Sequence, residues 1–239
     1  MIEAKEISKS FRQWDGSTFT ALSAVSFRIE DGQLAVLAGA NGSGKSLLMK
    51  IIAGLEKPTS GSVSCSEPVA LVFQDADAQI LADTVIEDVK FSLRSQRNLK
   101  KNEVTEKARK ALEAVGLAER ENSPSHLLSG GEKRRLAVAS ALALDRKTLI
   151  LDEPYSNLDY PGVRSVNALI RELRGKGFTI VILTHELEKC LGLSDRFMAL
   201  DKGQLVFDGK PEDALKADLE KWGIRNPLKD GDFRSLVWS

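Results

Sequence analysis

Eight residues constrain this chain more than any others: Gly39-Ala40-Asn41-Gly42-Ser43-Gly44-Lys45-Ser46. They follow Leu34–Gly39 (LAVLAG), a continuous apolar run of the kind a central strand shows when both its faces are covered. They precede a helix expected over Lys45–Gly54, with Gly54 as its stop. Strand, glycine-rich turn and helix in that order let successive backbone N–H groups turn inward beside the positive end of the helix. Such a turn is built to hold phosphate. Gly39, Asn41, Gly42, Ser43 and Gly44 form the cradle, and Leu47 carries it into the helix. Lys45 reaches the β- and γ-phosphates, and Ser46 offers a hydroxyl to Mg²⁺.

The flanking sequence places this turn in an alternating α/β chain. Strands are expected at Ile2–Ile7, Ala24–Glu30 and Val69–Phe73, with only a turn marked by Pro58 and Gly61 between the last two. From about Ala78 to Ala143 the pattern becomes helical, with Val104–Val115 and Gly130–Leu144 as its clearest helices. Alternation then resumes: Thr148–Leu151 and Phe178–Leu183 read as strands, Val163–Arg174 and Glu186–Leu191 as helices, and Arg196–Leu200 with Gln204–Phe207 as a hairpin. Strand–helix alternation on both sides of a helical block implies a parallel sheet with an inserted helical subdomain. A chain of 239 residues buries enough surface to need no disulfide or metal staple.

Two further segments carry chemistry. Leu149-Ile150-Leu151-Asp152-Glu153 ends an apolar strand with two acids, at the sheet edge where α/β proteins bind ligands. Asp152 suits the hold on Mg²⁺, and Glu153 suits a general base acting on water. In Leu128-Ser129-Gly130-Gly131-Glu132, Ser129 is placed to cap a helix whose first two glycines expose amide donors at its positive end. That is a second anion-binding design. One nucleotide needs only one phosphate loop, so the second suggests that each chain completes a partner's pocket.

The set Gly39–Ser46, Gln74, Leu128–Glu132, Leu151–Pro154, Ser156–Asp159 and His185 closely resembles the nucleotide-binding subunit of ABC transporters, over about residues 1–215. The resemblance implies a P-loop NTPase core with a mixed, mainly parallel sheet, an N-terminal antiparallel β subdomain and an inserted α-helical signature subdomain. The ATP-binding domain is then 1–221, with its helical part at about 78–143, and 222–239 is a short tail. The family implies ATP and Mg²⁺, and two subunits closing head to tail as a homodimer or with a related paralogue. Carried onto this chain, Gln74 senses the γ-phosphate and Mg²⁺, Ser129, Gly130 and Gly131 contact ATP across the dimer, Asp159 joins the two sites, and His185 holds the γ-phosphate and water near Glu153. Phe11 lies where the family places an aromatic on adenine, with Trp14 as the alternative.

The subtype is read from Phe73-Gln74-Asp75-Ala76-Asp77-Ala78-Gln79-Ile80-Leu81 and Thr84-Val85-Ile86-Glu87-Asp88-Val89-Lys90-Phe91. These look like the FQNPDDQ…TVEEDVAFG stretch of energy-coupling-factor (ECF) importer ATPases, which serve vitamins and metal ions such as cobalt or nickel. Asp75, Ala76 and Ala78 depart from that pattern. Ile80, Leu81 and Val85 are expected either to floor a groove for an integral membrane subunit's helix or to pack in the core. A soluble ABC ATPase acting on a protein scaffold, as in iron–sulfur cluster assembly, shares every catalytic motif and is the alternative; a phosphate-loop kinase is opposed by the signature and Gln74.

With 34 basic and 34 acidic side chains the net charge is zero, which argues against nucleic acid and against a purely electrostatic hold on lipid. The N-terminus has no signal-peptide core, and runs such as Ala141–Leu144 and Ile180–Leu183 are too short to span a bilayer. Cys65 and Cys190 are expected to be buried free thiols in a cytosolic protein. Together these expectations put the chain at the cytoplasmic face of the membrane as a peripheral subunit.

Overall fold

The computed structural model describes residues 1–94, 96 and 99–229. β1 (Ile2–Arg12) and β2 (Thr18–Ile29) pair antiparallel, then β3 (Leu34–Ala38) and α1 (Lys45–Ile52) bracket the glycine-rich turn. β4 (Ser60–Cys65) adds to the other edge of β1, completing a three-stranded sheet in the order β2-β1-β4. The sequence marked only a turn there. SGSVSC lacks an apolar run because this edge strand is largely exposed, with only Val63 and Cys65 half-buried.

β5 (Val69–Val72) starts the main sheet's outer edge, and three helices follow: α2 (Val85–Leu93), α3 (Lys101–Ala114) and α4 (Gly130–Ala143). α4 is buried over most of its circumference, from Arg134 and Leu136 to Ala141 and Ala143, as expected for a helix packed against α2, α3 and its C-terminal neighbour. β6 (Thr148–Asp152), α5 (Tyr160–Gly175) and β7 (Thr179–Leu183) return to strand–helix alternation. α5 is capped by Asp159, whose Oδ1 accepts from the Gly162 N–H at 2.9 Å, and it buries Val166, Leu169, Ile170 and Leu173 on one stripe. The helix expected over Glu186–Leu191 is instead two single 3₁₀ turns, Leu187–Lys189 and Leu191–Leu193, because Cys190 between them leaves the helical region with φ −146° and ψ −15°. β8 (Arg196–Asp201) and β9 (Gln204–Gly209) form the hairpin, followed by the short α6 (Pro211–Ala214).

The main sheet has the order β5-β6-β7-β3-β8-β9, parallel except for β9. Its inner strands explain the unbroken apolar runs. Leu34, Val36 and Ala38 face the larger core under the helices, while Ala35 and Leu37 face a second core shared with α1 and the three-stranded sheet. β7 divides the same way, Ile180 and Ile182 against Val181 and Leu183. Trp222 and Ile224 are buried in the larger core, so the start of the expected tail packs down; residues 230–239 lie outside the described residues. Cys190 is buried, Cys65 half-buried, and both are free. Among the described residues no helix is long and apolar enough to cross a membrane.

Candidate functional site

Strands β6, β7 and β3 lie side by side and run parallel, so their carboxyl ends share one edge. The turn after β3 brings the glycine loop there, β6 ends on Asp152 with Glu153 next, β7 leads to His185, and the outermost strand, β5, leads to Gln74. Topology alone gathers these residues from positions over a hundred residues apart.

The loop is wound as its glycines permit. Gly39, Gly42 and Gly44 have φ of 151°, 79° and 104°, which other residues rarely adopt. Lys45 Nζ donates to the carbonyls of Gly39 at 2.7 Å and Ala40 at 3.0 Å. Burial lowers its pKa, while Glu153 and Asp152 pull the other way. Burial raises the pKa of Asp152, although the neighbouring Ser46 hydroxyl opposes the rise. Ser43 Oγ, Asp152 Oδ1 and Glu153 Oε2 are buried and have no hydrogen-bond partner among the described residues. Buried polar atoms are nearly always satisfied. Three orphans gathered at one sheet edge are what a site completed by a polar ligand looks like. Ser46 and Asp152 present oxygen ligands only, the donor set a hard divalent cation takes.

Glu153 departs from the strand with φ 45°, a left-handed conformation for a non-glycine, while its N–H still donates to Leu183 O at 2.9 Å. Strain of this kind costs on the order of 1–3 kcal/mol and collects at functional sites. The turn aims the side chain at His185, whose Nδ1 lies 2.8 Å from Glu153 Oε1. A carboxylate held by a histidine and left with one free oxygen has the arrangement of a general base.

A cleft of about 380 Å³ runs from Phe11, Phe19 and Ala21 over Asn41–Leu47 to Gln74, Asp152 and Glu153. Phe11 and Phe19 are direct cross-strand partners and both half-exposed, forming an aromatic wall at the end away from the acids. Trp14 is 99% exposed and does not line the cleft; it sits in the β1–β2 turn, beyond the paired strands.

Ser129, Gly130 and Gly131 do not line this cleft either. They start α4 with a reciprocal capping box: Ser129 Oγ accepts from Glu132 N, and a Glu132 carboxylate oxygen accepts from Ser129 N at 2.8 Å. Ser129 and Gly130 are exposed, so the start of α4 is open to solvent.

A second groove, about 400 Å³, opens beside α2 and α4. Leu81 at 65% exposed lines it, with Leu55 and Phe91. Val85 is fully buried in the first turn of α2, and Ile80 packs against the larger core, so neither forms its floor. Asp75 Oδ1 accepts from the N–H groups of Asp77 and Ala78 and starts a 3₁₀ turn, Asp77–Gln79.

Against known proteins, a family model described as ABC transporter matches residues 22–156. The chain belongs to the ABC transporter family. It is 35% identical over 235 residues to the energy-coupling factor transporter ATP-binding protein EcfA of Methanocaldococcus jannaschii, covering 92% of this chain and 82% of the relative. The solved structure of CbiO1 from Clostridium perfringens, part of the ABC transporter complex CbiONQ, superposes with TM-score 0.79 at 29% identity over 95% of each chain. A dimeric ATP-binding cassette in a post-hydrolysis state, bound to ADP and Pi, gives 0.79 at 26% identity over 88% of this chain and 99% of that one. This chain is therefore an ABC-type ATPase and binds ATP.

In this ABC ATPase, several residues at the site carry no motif signal. Phe19 and Ala21 line the cleft only because β2 pairs with β1 in a register that shifts three times between Ala4 and Ser10. Gln79, within the ECF-like stretch, has a side-chain amide that accepts from Phe73 N and donates to Leu71 O, both at 3.0 Å, pinning the segment that carries Gln74. Arg134 gave no signal beyond its charge.

Proposed function

We propose that this ABC ATPase is the ATP-hydrolysing subunit of an ECF-type importer for a vitamin or transition-metal ion, docked at the cytoplasmic face of the membrane on integral transport subunits. The observation that carries this reading is the segment from Gln74 to Phe91. Its Gln79 clamps the strand leading to Gln74, and the same segment supplies Leu81 and Phe91 to an apolar groove within reach of the site. A membrane subunit's helix seated in that groove would press on the segment that carries Gln74, which lines the cleft together with Asp152 and Glu153. Likeness to EcfA and CbiO1 supports the same subtype.

In this reading Gly39, Asn41 to Ser46 and Leu47 hold the phosphates of ATP, with Phe11 and Phe19 on the base. Ser46, Asp152 and Gln74 would hold Mg²⁺, which would supply charge neutralisation at the phosphates. Glu153 takes the proton of the attacking water, and His185 orients Glu153 through their 2.8 Å contact. Ser129, Gly130 and Gly131 reach the γ-phosphate of a second copy or a related chain, and Asp159 joins the two sites. Residues at about 78–143 form the arm that carries the signature. ATP closes the dimer because those contacts exist only in the closed state, which is the differential affinity a switch requires. The test is a pull-down of the tagged chain from solubilised membranes. Recovery of an integral partner with a vitamin- or metal-binding subunit is expected; a wholly soluble complex with a scaffold protein would overturn the importer reading.

A further inference from the structure

Arg134 is 7% exposed, unusually buried for a guanidinium. It lies on α4, two residues beyond Glu132 at the end of the signature. Its Nη2 donates to the Ser156 carbonyl at 2.8 Å, and its Nη1 is buried with no hydrogen-bond partner among the described residues. Glu153 and Asp75 are the acidic groups acting on its charge, and burial nonetheless lowers its pKa. Arg134 thus stands where the signature helix, the segment after Glu153 and the segment after Gln74 converge.

Two other contacts fasten the same parts. Ser156 N donates to Glu153 O at 3.2 Å, so the carbonyl that Arg134 holds belongs to the turn that starts at Glu153. Leu158 covers the signature glycines: a β-carbon on Gly130 would lie 3.6 Å from Leu158 Cδ2, and one on Gly131 3.9 Å. The start of α4 and residues 156–158 are therefore packed as one unit with Glu153 at its far end.

Arg134 is a costly way to gain stability. A buried cation with an orphaned nitrogen bears a desolvation cost that offsets much of what its bond to the Ser156 carbonyl contributes. What Arg134 adds is a directional link. We infer that Arg134 is a positioning residue, tying the signature end of α4 to the Ser156 carbonyl and through that turn to Glu153, so that the orientation of the helical arm sets the hydrolytic geometry of the chain's own site. This rests on the reading of Glu153 as the base.

The experiment compares Arg134→Met and Arg134→Lys with the unaltered chain in phosphate release against ATP concentration, alongside thermal unfolding. Arg134→Met lowers Tm modestly, because the Ser156 carbonyl loses its donor, leaves KM for ATP within about twofold and lowers kcat per folded molecule at least about tenfold. Arg134→Lys recovers part of that kcat, since its ammonium can still donate to the Ser156 carbonyl. Unchanged kcat in Arg134→Met, or a loss fully matched by a smaller folded fraction, overturns the inference. Should Arg134→Met not fold, Arg134→Lys decides: a kcat per folded molecule equal to the unaltered chain's overturns it, and a severalfold loss at constant KM supports it. Failure of the base reading shows separately, as normal hydrolysis by Glu153→Gln whatever stands at position 134.

Discussion

A β-carbon on Gly39 would stand 2.2 Å from the Leu200 carbonyl oxygen, at a φ of 151° that a side chain rarely tolerates. Neither the loop nor β8 can give way alone, because Gly39 adjoins the buried end of β3 and Leu200 is fully buried. Gly39→Ala is therefore expected to cost about 3 kcal/mol in urea unfolding and to abolish ATP binding, from backbone strain and collision together. Glu153→Gln acts on chemistry alone. It keeps the shape beside His185 and removes the basic oxygen, so phosphate release should fall about 10²–10³-fold while ATP still binds. Normal turnover by that variant would exclude Glu153 as the base. The phosphate loop was legible because its chemistry demands particular residues at fixed spacing within eight positions. Phe19 and Arg134 were not, since each acquires its place through a partner far along the chain, Phe11 across a hairpin and Ser156 across a helix–loop junction.

Among the elements, α2 carries a buried carboxylate that makes a measurable cost. Asp88 is 6% exposed, and its Oδ1 accepts from the N–H groups of Leu81 at 2.7 Å and Ala82 at 3.2 Å. Burial raises its pKa above 3.8 although those bonds oppose the rise. A raised folded-state pKa means the folded chain holds this proton more tightly than the unfolded one. Its contribution to stability is full below 3.8 and is lost as pH climbs through the folded value. Asp88→Asn keeps an acceptor for both N–H groups and carries no charge. Chemical denaturation of both chains should show the variant gaining on the parent as pH rises from about 3.8. A gap independent of pH would refute this. Element boundaries show where sequence patterning stops being informative. Buried β3, β6 and β7 announce themselves by unbroken apolar runs because both faces meet cores, whereas exposed β4 has no hydrophobic face to write into the sequence. The 3₁₀ turns after His185 have the apolar content of a helix, but the non-helical dihedrals of Cys190 between them break it.

Over the whole molecule, the cleft that gathers Phe11, the loop, Gln74 and Glu153 does not include the signature, although both are anion-binding designs on one chain. If closure brings the signature of one copy onto the phosphate loop of another, neither defect below destroys both sites of a mixed dimer. Lys45→Ala disables a chain's own loop but leaves its Ser129–Gly131 intact; Ser129→Arg blocks the signature but leaves the loop intact. Each variant alone forms dimers in which both composite sites contain one broken half. Mixed one to one, half of the dimers pair unlike chains. In each of these, the loop of the Ser129→Arg chain meets the signature of the Lys45→Ala chain and forms one whole site. Phosphate release should then recover to about a quarter of the unaltered chain's rate, if the sites act independently and the variants exchange freely. The recovery should rise with total protein concentration, because association sets the number of complete sites. A site completed within one chain predicts no recovery at any mixing ratio, since neither variant would contain both halves.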